Sequence, residues 1–589
     1  MPITQCVQSK QPYMIPNENA QYLLEKYYLD NASNETPEQL IRRVAKVLAS
    51  TEIKNGGHRA TLYWEETFYS LLSNMDFLPG SPFLLNAGKN SGQLASCHCI
   101  PVSSEENNYM ASLEIAKSVQ INGSGTAFNF SKLPSASNNN VSKSEAPVIQ
   151  LLYKFSRVLG SFLQGGIRIG CNTAILSAHH PDIREFIQAK TDKQVLNNFY
   201  LTVSLTDLFM NSLLKKETYP LFDPISGQET GKIAAGDIFN AIVEASWNNG
   251  DPGVIFQDTI DASNPIPSLG QLEAVSGCGE QLMMEGECCF LGSINLVNMV
   301  HQNQLEVAEI NWGKLKRTVC IALRLLDNAI DISTYASPEI EHVTKLGRKV
   351  GLGIMGLADL LYLLDIPYNS KKAMETTEQI LKYIKKCAYF YSNHLGDQKG
   401  TCPVYQDGSQ NTNRRNASIT TIAPTGTIST IAGCSAGIEP AFRLVYLRRL
   451  ADGKELLEVN PHFVNNIIRE KLNVSLILRQ LLSGKPLQEI GGVPEHIKKV
   501  FVTAQDISPE WHLNIQHSAQ KHIDNAVSKT VNLDNNASRA EIRQIYLKAY
   551  KLGLKGITVY RDMSRENQPL VCSGEGLDLL NRWLKDKGF

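Results

Sequence analysis

The sequence has few of the features that mark membrane, secreted or nucleic-acid-binding proteins. Its 589 residues contain no apolar run long enough to cross a bilayer, and Met1–Gln5 lacks the charged-then-apolar pattern of a signal peptide. The formal net charge is only -1, which provides no basic field for nucleic acid. With 43% apolar and 20% charged residues, the composition is that of an ordinary globular protein. We therefore predict a cytoplasmic protein that binds neither membrane nor nucleic acid.

Disulfide scaffolds and common metal motifs are also missing. Twelve cysteines in 589 residues are too few for a disulfide framework, and no C-x-x-C motif indicates a zinc ribbon or a thioredoxin-like site. Two pairs lie close in sequence, Cys97 with Cys99 and Cys288 with Cys289. A four-thiolate site built from them would have an unusual spacing, so we predict no metal site. The cysteines are expected to be thiols, apart from any that carry redox chemistry.

One cysteine stands out because of its neighbours. Cys278 lies between Gly277 and Gly279, and Glu280 follows two residues later. Glycines on both sides suit a tight turn and the close approach of another molecule. The pattern favours a thiol presented at a loop tip, and an inert buried cysteine is the alternative. This stretch alone does not decide between them.

Three further glycine-containing stretches have the composition of binding loops. Gly165–Gly170 carries a single cation, Arg168, and Ala423–Ser429 reads as a strand and turn followed by hydroxyl side chains. Exposed amides and hydroxyls can form a neutral anion cradle, and an ordinary capped helix is the alternative. Gly351–Gly356 spells G-x-G-x-x-G, but the polar run before it does not indicate a buried strand. We interpret its glycines as close packing at a helix start.

Local patterns also predict several elements. Thr36–Gln39 and Ser538–Glu541 have the composition of capping boxes that open helices. Gln93–Val102 reads as a strand, which would place Cys97 and Cys99 on one face. The polar segment from about Met563 is the clearest boundary, and we predict a C-terminal tail over 566–589.

Taken in order, these stretches resemble the catalytic subunit of ribonucleotide reductase. The resemblance runs from about residue 36 to residue 565. It rests on six matches: Gln93–Cys97, His180–Ile183, Cys278–Glu280, Cys289 with Leu291–Leu296, Ala423–Ser429 and Gly437–Pro440. So many matches in family order make a chance resemblance improbable.

The resemblance implies an α/β fold. The family has a ten-stranded α/β barrel made of two parallel five-stranded halves, with a central finger loop that carries the radical cysteine. We expect a short helical N-terminal region over 1–75, the barrel over 76–565 and the tail after it. The N-terminal region is too short for an ATP-cone domain, so none is expected.

The resemblance also implies a reaction. A thiyl radical takes the 3′ hydrogen of a ribonucleotide, the 2′ hydroxyl leaves as water, and two thiols supply the electrons. By motif, Cys278 resembles the thiyl site, Glu280 the base for the 3′ hydroxyl, and Cys97 with Cys289 the reducing pair. Ser276 stands where the family usually has a catalytic Asn, and Gly277 replaces a usual Pro.

Binding residues and partners are implied in the same way. The substrate-binding residues by resemblance and composition are Ser81, Ser96, Gly125, Pro424, Thr425, Gly426, Thr427, Ile428 and Ser429. The loop that relays effector identity is represented by Gln164, Gly165, Gly166 and Arg168. The implied partners are a ribonucleotide, a deoxynucleoside triphosphate or ATP effector, a thioredoxin-like or other thiol reductant, and a second copy of the chain in a homodimer.

The radical source is indicated by the end of the barrel. Thr558–Arg565 resembles the adenosylcobalamin-dependent type, and Val559–Tyr560 stands where the type with a metallo-subunit has two tyrosines. The expected cofactor is adenosylcobalamin, and the resemblance allows Mg²⁺ with bound nucleotides. Two alternatives stay open, namely the same barrel activated by a separate metallo-radical subunit, and a non-catalytic nucleotide-binding paralogue.

Overall fold

The computed structural model describes residues 17–30, 32–135, 147–166, 168–192, 194–303, 307–406, 412–450, 452–565, 568, 570–572 and 576–589. Its helices are α1 (Glu18–Leu23), α2 (Pro37–Ala49), α3 (Ile53–Ser73), α4 (Ser81–Asn86), α5 (Glu106–Ile121), α6 (Pro147–Leu159), α7 (Ile183–Gln188), α8 (Asp207–Lys215), α9 (Ala235–Asn249), α10 (Gln257–Asp261), α11 (Trp312–Ile332), α12 (Pro338–Gly347), α13 (Leu357–Leu363), α14 (Lys371–Lys399), α15 (Gly426–Ala432), α16 (Pro461–Arg469), α17 (Val474–Leu482), α18 (Glu495–Val500), α19 (Pro509–Gln520), α20 (Arg539–Lys551) and α21 (Leu577–Asp586).

The strands are β1 (Phe77–Pro79), β2 (Cys97–Cys99), β3 (Gly125–Asn129), β4 (Leu163–Gln164), β5 (Arg168–Ile169), β6 (Asn172–Ser177), β7 (Phe199–Leu205), β8 (Thr218–Phe222), β9 (Glu229–Ala234), β10 (Gly253–Phe256), β11 (Ala274–Val275), β12 (Leu282–Met283), β13 (Cys288–Asn295), β14 (Val300–Gln302), β15 (Ala308–Ile310), β16 (Val350–Met355), β17 (Val445–Arg449), β18 (Glu455–Val459), β19 (Thr530–Leu533), β20 (Gly556–Arg561) and β21 (Leu570–Val571).

The central sheet forms a barrel of two parallel halves. In the first half β2, β3, β6, β7 and β10 are neighbours in this order, and each adjacent pair is parallel. The second half contains the parallel pairs β13–β16 and β19–β20. Parallel bridges join Leu352 to Thr420 and Ile422 to Val527, so a fifth extended segment links these pairs. The halves meet in antiparallel pairs, β2 with β13 and β10 with β20.

A hairpin made by β11 and β12 lies inside this barrel. Val275 and Leu282 are directly paired, and both are buried with Cys99, Ala127 and other inward-facing side chains of the barrel strands. The stem of this finger loop is held firmly by the barrel residues around it, because protein interiors are packed as densely as organic crystals. The predicted barrel with a central finger loop is confirmed.

The helical N-terminal region packs against the second half of the barrel. In α2, the side chains of Leu40, Val44 and Leu48 are completely buried together with residues of α11 and α14. The capping box predicted at the start of α2 is formed by Thr36 and Gln39. The second predicted capping box is formed by Ser538 and Glu541 at the start of α20. The predicted helical N-terminus is confirmed, and the bounds given above for the three regions stay a prediction.

The strand β16 was not predicted, because Gly351–Gly356 was interpreted as packing at a helix start. Its backbone is buried throughout and pairs with β13. A β-carbon at Gly353 would lie 2.7 Å from the backbone oxygen of Thr421, so this glycine lets two barrel segments approach closely. Gly356, with a φ of 82°, is the N-cap residue of α13. The glycines therefore serve packing, as interpreted, but within a barrel strand.

The C-terminal residues that the structure describes are docked. β21 pairs with β17 in a three-stranded sheet with β18, and Leu580 and Leu584 of α21 are buried against this sheet and its helices. Among the described residues, no helix combines the length and the apolar character that crossing a membrane requires.

Candidate active site

A cavity of about 820 Å³ opens inside the barrel, which is within the usual range for small-molecule sites. Both halves of the barrel and the finger loop contribute to its wall. The predicted site residues that line it are Ser81, Ser96, Cys97, Gly125, Gln164, Cys278, Glu280, Pro424, Thr425, Gly426, Thr427 and Ile428. The fold thus brings together residues from distant parts of the chain.

Cys278 lies at the tip of the finger loop, with its side chain exposed to the cavity. The tip is closed by Ser276, whose backbone N–H donates to Gln281 (2.9 Å). The hydroxyl of Ser276 accepts the backbone N–H groups of Glu280 (3.2 Å) and Gln281 (3.1 Å). Gly279 has a φ of 76°, in the left-handed region that favours glycine. The Ser276 hydroxyl is therefore used within the turn that presents Cys278.

Glu280 is held from the second half of the barrel. Its backbone oxygen accepts the N–H of Ala526 (2.9 Å) and the hydroxyl of Thr421 (2.6 Å). The neighbouring Gln281 donates its side-chain amide to Asn525 (3.1 Å). Glu280 is 4% exposed and lines the cavity. The backbone that carries the Glu280 carboxyl group is thus held in place two residues after Cys278.

Cys97 and Cys289 lie directly opposite each other on the antiparallel strands β2 and β13. Such pairs have Cα atoms about 4.5–5.5 Å apart, which is within the range that a disulfide requires. Their side chains are hydrogen-bonded, and Cys97 faces the cavity while Cys289 is completely buried behind it. The two cysteines that sequence motifs selected as a redox pair are therefore adjacent in space.

Cys99 and Cys288 do not extend this pair into a metal site. Cys99 packs on the same inner face as Cys97, as the predicted strand requires. Cys288 faces the opposite side of β13, where its N–H donates to the hydroxyl of Thr344 (3.2 Å). Since the four thiols do not share a face, the four-thiolate alternative is not supported.

The site raises the pKa of its three thiols. The hydrogen bond to Cys289, followed by burial, raises the pKa of Cys97, and burial raises the pKa of Cys289. A side-chain hydrogen bond to Cys171, followed by burial, raises the pKa of Cys278. Nucleophilic cysteines have lowered pKa values instead. These thiols keep their hydrogen at neutral pH, as hydrogen-atom transfer requires.

His98 allows a prediction about acid stability. Its Nδ1 is 2.7 Å from the Ser124 hydroxyl, and burial lowers its pKa to about 3. The unfolded chain binds a proton near pH 6.5 and the folded chain does not, so unfolding becomes easier below about pH 6.5. Between pH 7.5 and 5.5 this effect should cost about 1.4 kcal/mol of the free energy of unfolding.

We expect His98→Asn to remove this acid-dependent loss, which urea unfolding at the two pH values would measure. The exposed His58→Asn is the control and should keep the wild-type pH dependence. An equal loss for His98→Asn and the wild type would contradict the prediction.

The loop at Ala423–Ser429 has the form of an anion cradle. Thr425 has a φ of 54°, and α15 begins at the next residue, so the first backbone N–H groups of this helix have no intrahelical partners. The Thr425 hydroxyl accepts the N–H of Gly437 (2.8 Å), which joins the two family motifs. Ser429 is 2% exposed, so the cavity-lining part of the loop ends before it.

The other predicted substrate residues line the wall near Cys97. The Ser81 hydroxyl is 2.9 Å from that of Tyr28. The Ser96 hydroxyl is buried and makes no hydrogen bond to any residue that the structure describes. At Gly125 an added β-carbon would lie 3.4 Å from the Cys97 sulfur, so a side chain here would crowd the thiol. The buried Ser96 hydroxyl fits a contact with a ligand, because buried polar groups are nearly always paired.

The predicted effector loop is the β4–β5 hairpin. Gln164 is 3% exposed and joins both ends of the hairpin to the barrel, since it donates to Gly123 (2.9 Å) and accepts from the backbone of Cys171 (3.0 Å). Gly165 and Gly166 form the turn with φ values of 60° and 72°. The Arg168 side chain lies outside the described residues.

Comparisons with known proteins decide the family. The ribonucleotide reductase barrel domain matches residues 95–414 and 410–560, and the ribonucleotide reductase all-alpha domain matches residues 14–92. The chain belongs to the ribonucleotide reductase large-subunit family. The family predicted from the sequence is therefore confirmed.

Two relatives of this ribonucleotide reductase are named as vitamin B12-dependent enzymes. A vitamin B12-dependent ribonucleoside-diphosphate reductase of Mycobacterium tuberculosis is 37% identical over 93% of this chain and 79% of that protein. A vitamin B12-dependent ribonucleoside-diphosphate reductase of Thermoplasma acidophilum is 38% identical over 86% of this chain and 66% of that protein. The Actinobacillus ureae class Id ribonucleotide reductase alpha subunit has the same fold, with a TM-score of 0.77 at 21% identity over 93% of this chain and 97% of that one.

The reductase cavity has a second polar wall that the sequence motifs did not reveal. The residues that form it are Lys190, Gln194, Asn197, Tyr200, Asn249, Asp251 and Arg565. Asp251 accepts from Lys190 (2.5 Å) and Arg565 (2.9 Å). Tyr200 is 40% exposed, and its raised pKa reflects the nearby Cys171 and Cys278. Of this set only Arg565 lay in a quoted motif, and no spacing signal connects the others.

Proposed function

We propose that this chain reduces ribonucleoside diphosphates to 2′-deoxyribonucleoside diphosphates by a thiyl-radical mechanism that depends on adenosylcobalamin. One arrangement carries the proposal: Cys278 faces the cavity at the finger-loop tip beside Glu280, and Cys97 lies in the same wall with Cys289 behind it. The names of the relatives in Mycobacterium tuberculosis and Thermoplasma acidophilum favour this activity and cofactor over a non-catalytic nucleotide-binding role.

Each side chain has one task in the proposed reaction. The Cys278 thiyl removes the 3′ hydrogen of the substrate and returns it at the end. Glu280 accepts the proton of the 3′ hydroxyl and returns it at the end, while the 2′ hydroxyl takes a proton from the Cys97–Cys289 pair and leaves as water. Cys97 and Cys289 give up their two hydrogens and form a disulfide, which balances the two-electron reduction. Exchange with an external thiol then restores the pair.

The cavity walls on either side of Cys278 and Cys97 orient the substrate in this proposal. The backbone amides at the start of α15 and the hydroxyl side chains at Thr425–Ile428 bind the diphosphate without a full positive charge. The orphaned Ser96 hydroxyl, which lies next to Cys97 in the chain, binds a sugar hydroxyl. Ser276 acts as a positioning residue, because its hydroxyl holds the finger-loop turn. Mg²⁺ accompanies the nucleotide diphosphate.

The second wall is assigned to the cofactor. When bound there, adenosylcobalamin would supply the radical chemistry that converts the Cys278 thiol to a thiyl. The residues fit an adenosyl group, because the exposed Tyr200 ring offers a stacking surface and Asn249 and Asp251 offer partners for ribose hydroxyls and ring nitrogens. Arg565, held by Asp251 and the backbone oxygen of Asn249 (2.9 Å), closes this wall.

The remaining partners are also proposals. Family membership supports a homodimer. In this dimer the β4–β5 hairpin relays the identity of a deoxynucleoside triphosphate or ATP effector. The reductant is a thioredoxin-like protein or another thiol that reaches the cavity directly. Cys572 supports this, because its thiol donates to the Val445 backbone oxygen (3.6 Å) away from the cavity lining. The cytoplasmic location predicted above suits a protein that depends on reduced thiols.

The test is reduction of CDP and CTP by the purified chain with dithiothreitol, with and without adenosylcobalamin. We expect deoxynucleotide formation only with the cofactor, and a higher rate with CDP than with CTP. Equal reduction without the cofactor, after addition of a metallo-radical subunit, would favour the alternative in which that subunit activates the barrel. Nucleotide binding without any reduction in either condition would favour the non-catalytic alternative.

A further inference from the structure

A fourth thiol touches the proposed radical thiol. Cys171 immediately precedes β6, lines the cavity and forms a side-chain hydrogen bond with Cys278. It does not belong to the Cys97–Cys289 pair, and the proposed reaction assigns no electrons to it. Its contact with Cys278 is therefore unexplained by the proposed reduction steps.

The finger loop is shaped around this thiol. A β-carbon added at Gly277 would lie 2.3 Å from the Cys171 sulfur, far inside van der Waals contact. The same β-carbon would lie 3.2 Å from the Thr173 hydroxyl, a distance that a small shift can relieve. The family pattern has a proline at this position, and a proline ring here would require this sulfur to move. Gly277 and Cys171 are therefore a matched pair.

Cys171 also belongs to the base of the β4–β5 hairpin. Its N–H donates to the Gln164 side chain (3.0 Å), and its backbone oxygen accepts from Thr126 on β3 (3.1 Å). Both backbone groups are thus held by hydrogen bonds, so the Cα atom that carries the Cys171 side chain has a fixed position. A single residue connects the predicted effector loop on one side with the tip of the finger loop on the other.

We propose that Cys171 is a positioning residue for the radical thiol: its sulfur accepts the Cys278 S–H and ties the finger-loop tip to the base of the β4–β5 hairpin. This inference rests on the proposed reductase function and deepens it. A thiol has one rotatable bond to its backbone, so one weak hydrogen bond and one close contact are enough to select its direction. A displacement of about 1 Å at a reacting atom can cost about 100-fold in rate.

Other ionisable groups also face Cys278. Glu280 lies on the finger loop itself, Cys97 on β2 and Tyr200 on β7, with Asp251 and Arg565 beyond Tyr200. The carboxylate and the hydrogen bond to Cys171 both raise the pKa of Cys278. Replacing Cys171 leaves the Glu280 carboxylate in place, so the contribution of Cys171 can be separated from that of Glu280.

The first test is alkylation of Cys278 by iodoacetamide in the cofactor-free chain, followed by peptide mass spectrometry across pH 7–10. Loss of one net hydrogen bond should lower the Cys278 pKa, so Cys171→Ala should react about twofold to tenfold faster at a fixed pH. Cys171→Ser keeps an acceptor and should restore the wild-type profile. Thr173→Ala, which also borders Gly277, is the matched control and should leave the profile unchanged. Identical profiles for Cys171→Ala and the wild type would overturn the proposal.

The second test uses the close contact between Gly277 and the Cys171 sulfur, and it also needs no cofactor. Gly277→Ala should lower the thermal unfolding midpoint, and the double variant Cys171→Ala/Gly277→Ala should recover most of that loss. Equal losses in the single and double variants would show that the sulfur does not sit against Gly277, and would overturn the proposal.

A turnover measurement then connects the contact with the reaction. In CDP reduction, Cys171→Ala should lower kcat by about tenfold or more while KM changes little, and Cys171→Ser should recover most of kcat. An unchanged kcat in Cys171→Ala would overturn the positioning role. If the wild type itself does not reduce CDP, the proposed function fails, whereas the alkylation and unfolding tests still decide whether Cys171 holds Cys278.

Discussion

Cys278→Ala is expected to lower CDP reduction by more than about 10³-fold, the largest loss of activity among the cavity variants. The physical reason is that the proposed reaction passes the radical to the substrate through the Cys278 sulfur, which alanine lacks. The Cys278 thiol faces the cavity. It keeps its hydrogen because its hydrogen bond to Cys171 and its desolvation inside the barrel raise its pKa. Binding of CDP, measured by isothermal titration calorimetry, should stay within about threefold of the wild type, since the cradle at Thr425–Ile428 is unchanged.

A second readout separates radical formation from reduction. The Cys278 S–H exchanges with water, so tritium at the 5′ carbon of adenosylcobalamin should appear in water only when Cys278 is present. Cys97→Ala and Cys289→Ala should retain this exchange and lose multiple-turnover reduction, because only the disulfide step is blocked. Cys572→Ala, a thiol outside the cavity lining, is the control and should keep both activities with dithiothreitol. Exchange at the wild-type rate in Cys278→Ala would remove Cys278 from its assigned role.

The central features of the site were predictable because they are local in sequence. Glycines on both sides of Cys278 indicate a turn whatever surrounds it, and the structure places that turn at the finger-loop tip. The capping boxes at Thr36 and Ser538 were predictable for the same reason, since both partners of each bond lie three residues apart. The pairing of Cys97 with Cys289 came from the family resemblance alone, because it depends on the register of two distant strands.

Features that arise only when the barrel closes were not predicted from the sequence. β16 is flanked by a polar segment, Lys345–Lys349, whose charges are neutralised by partners such as Glu287, which accepts from Lys349 (2.8 Å). A strand with such a flank has no sequence signal of burial. Cys171 and Asp251 were missed because each is an ordinary residue in its own segment, and only the closure of the barrel places them near Cys278.

The same limitation applies to a buried charge network between the helices. Glu52, between α2 and α3, is 1% exposed and binds Arg324 of α11 (2.8 Å) and Lys399 of α14 (2.7 Å). Asn328 also donates to the Glu52 carboxylate (2.8 Å). Burial raises the pKa of Glu52, but the hydrogen bond to Arg324 and the charge of Lys399 outweigh it, so the pKa is lowered. The carboxylate is therefore charged in the folded chain and joins three distant segments.

We expect Glu52→Ala to lower the free energy of unfolding by about 3–5 kcal/mol. The loss is large because Arg324 and Lys399 keep their buried charges without the Glu52 carboxylate that binds both of them. Urea unfolding at pH 7 measures it, and Glu375→Ala, which breaks the exposed pair with Lys371 (3.5 Å), is the control with an expected loss below about 1 kcal/mol.

The pH dependence distinguishes the charge of Glu52 from its packing. A carboxyl group with a lowered folded pKa stabilises the folded state above its unfolded value, about 4.3, and this contribution is lost as the pH falls through the folded pKa. The difference between wild type and Glu52→Gln, which keeps the shape and removes the charge, should therefore shrink below about pH 4.3. A difference that stays constant down to pH 3 would assign the effect to packing. A loss below about 1 kcal/mol at pH 7 would mean that Glu52 does not hold the N-terminal helices to the barrel.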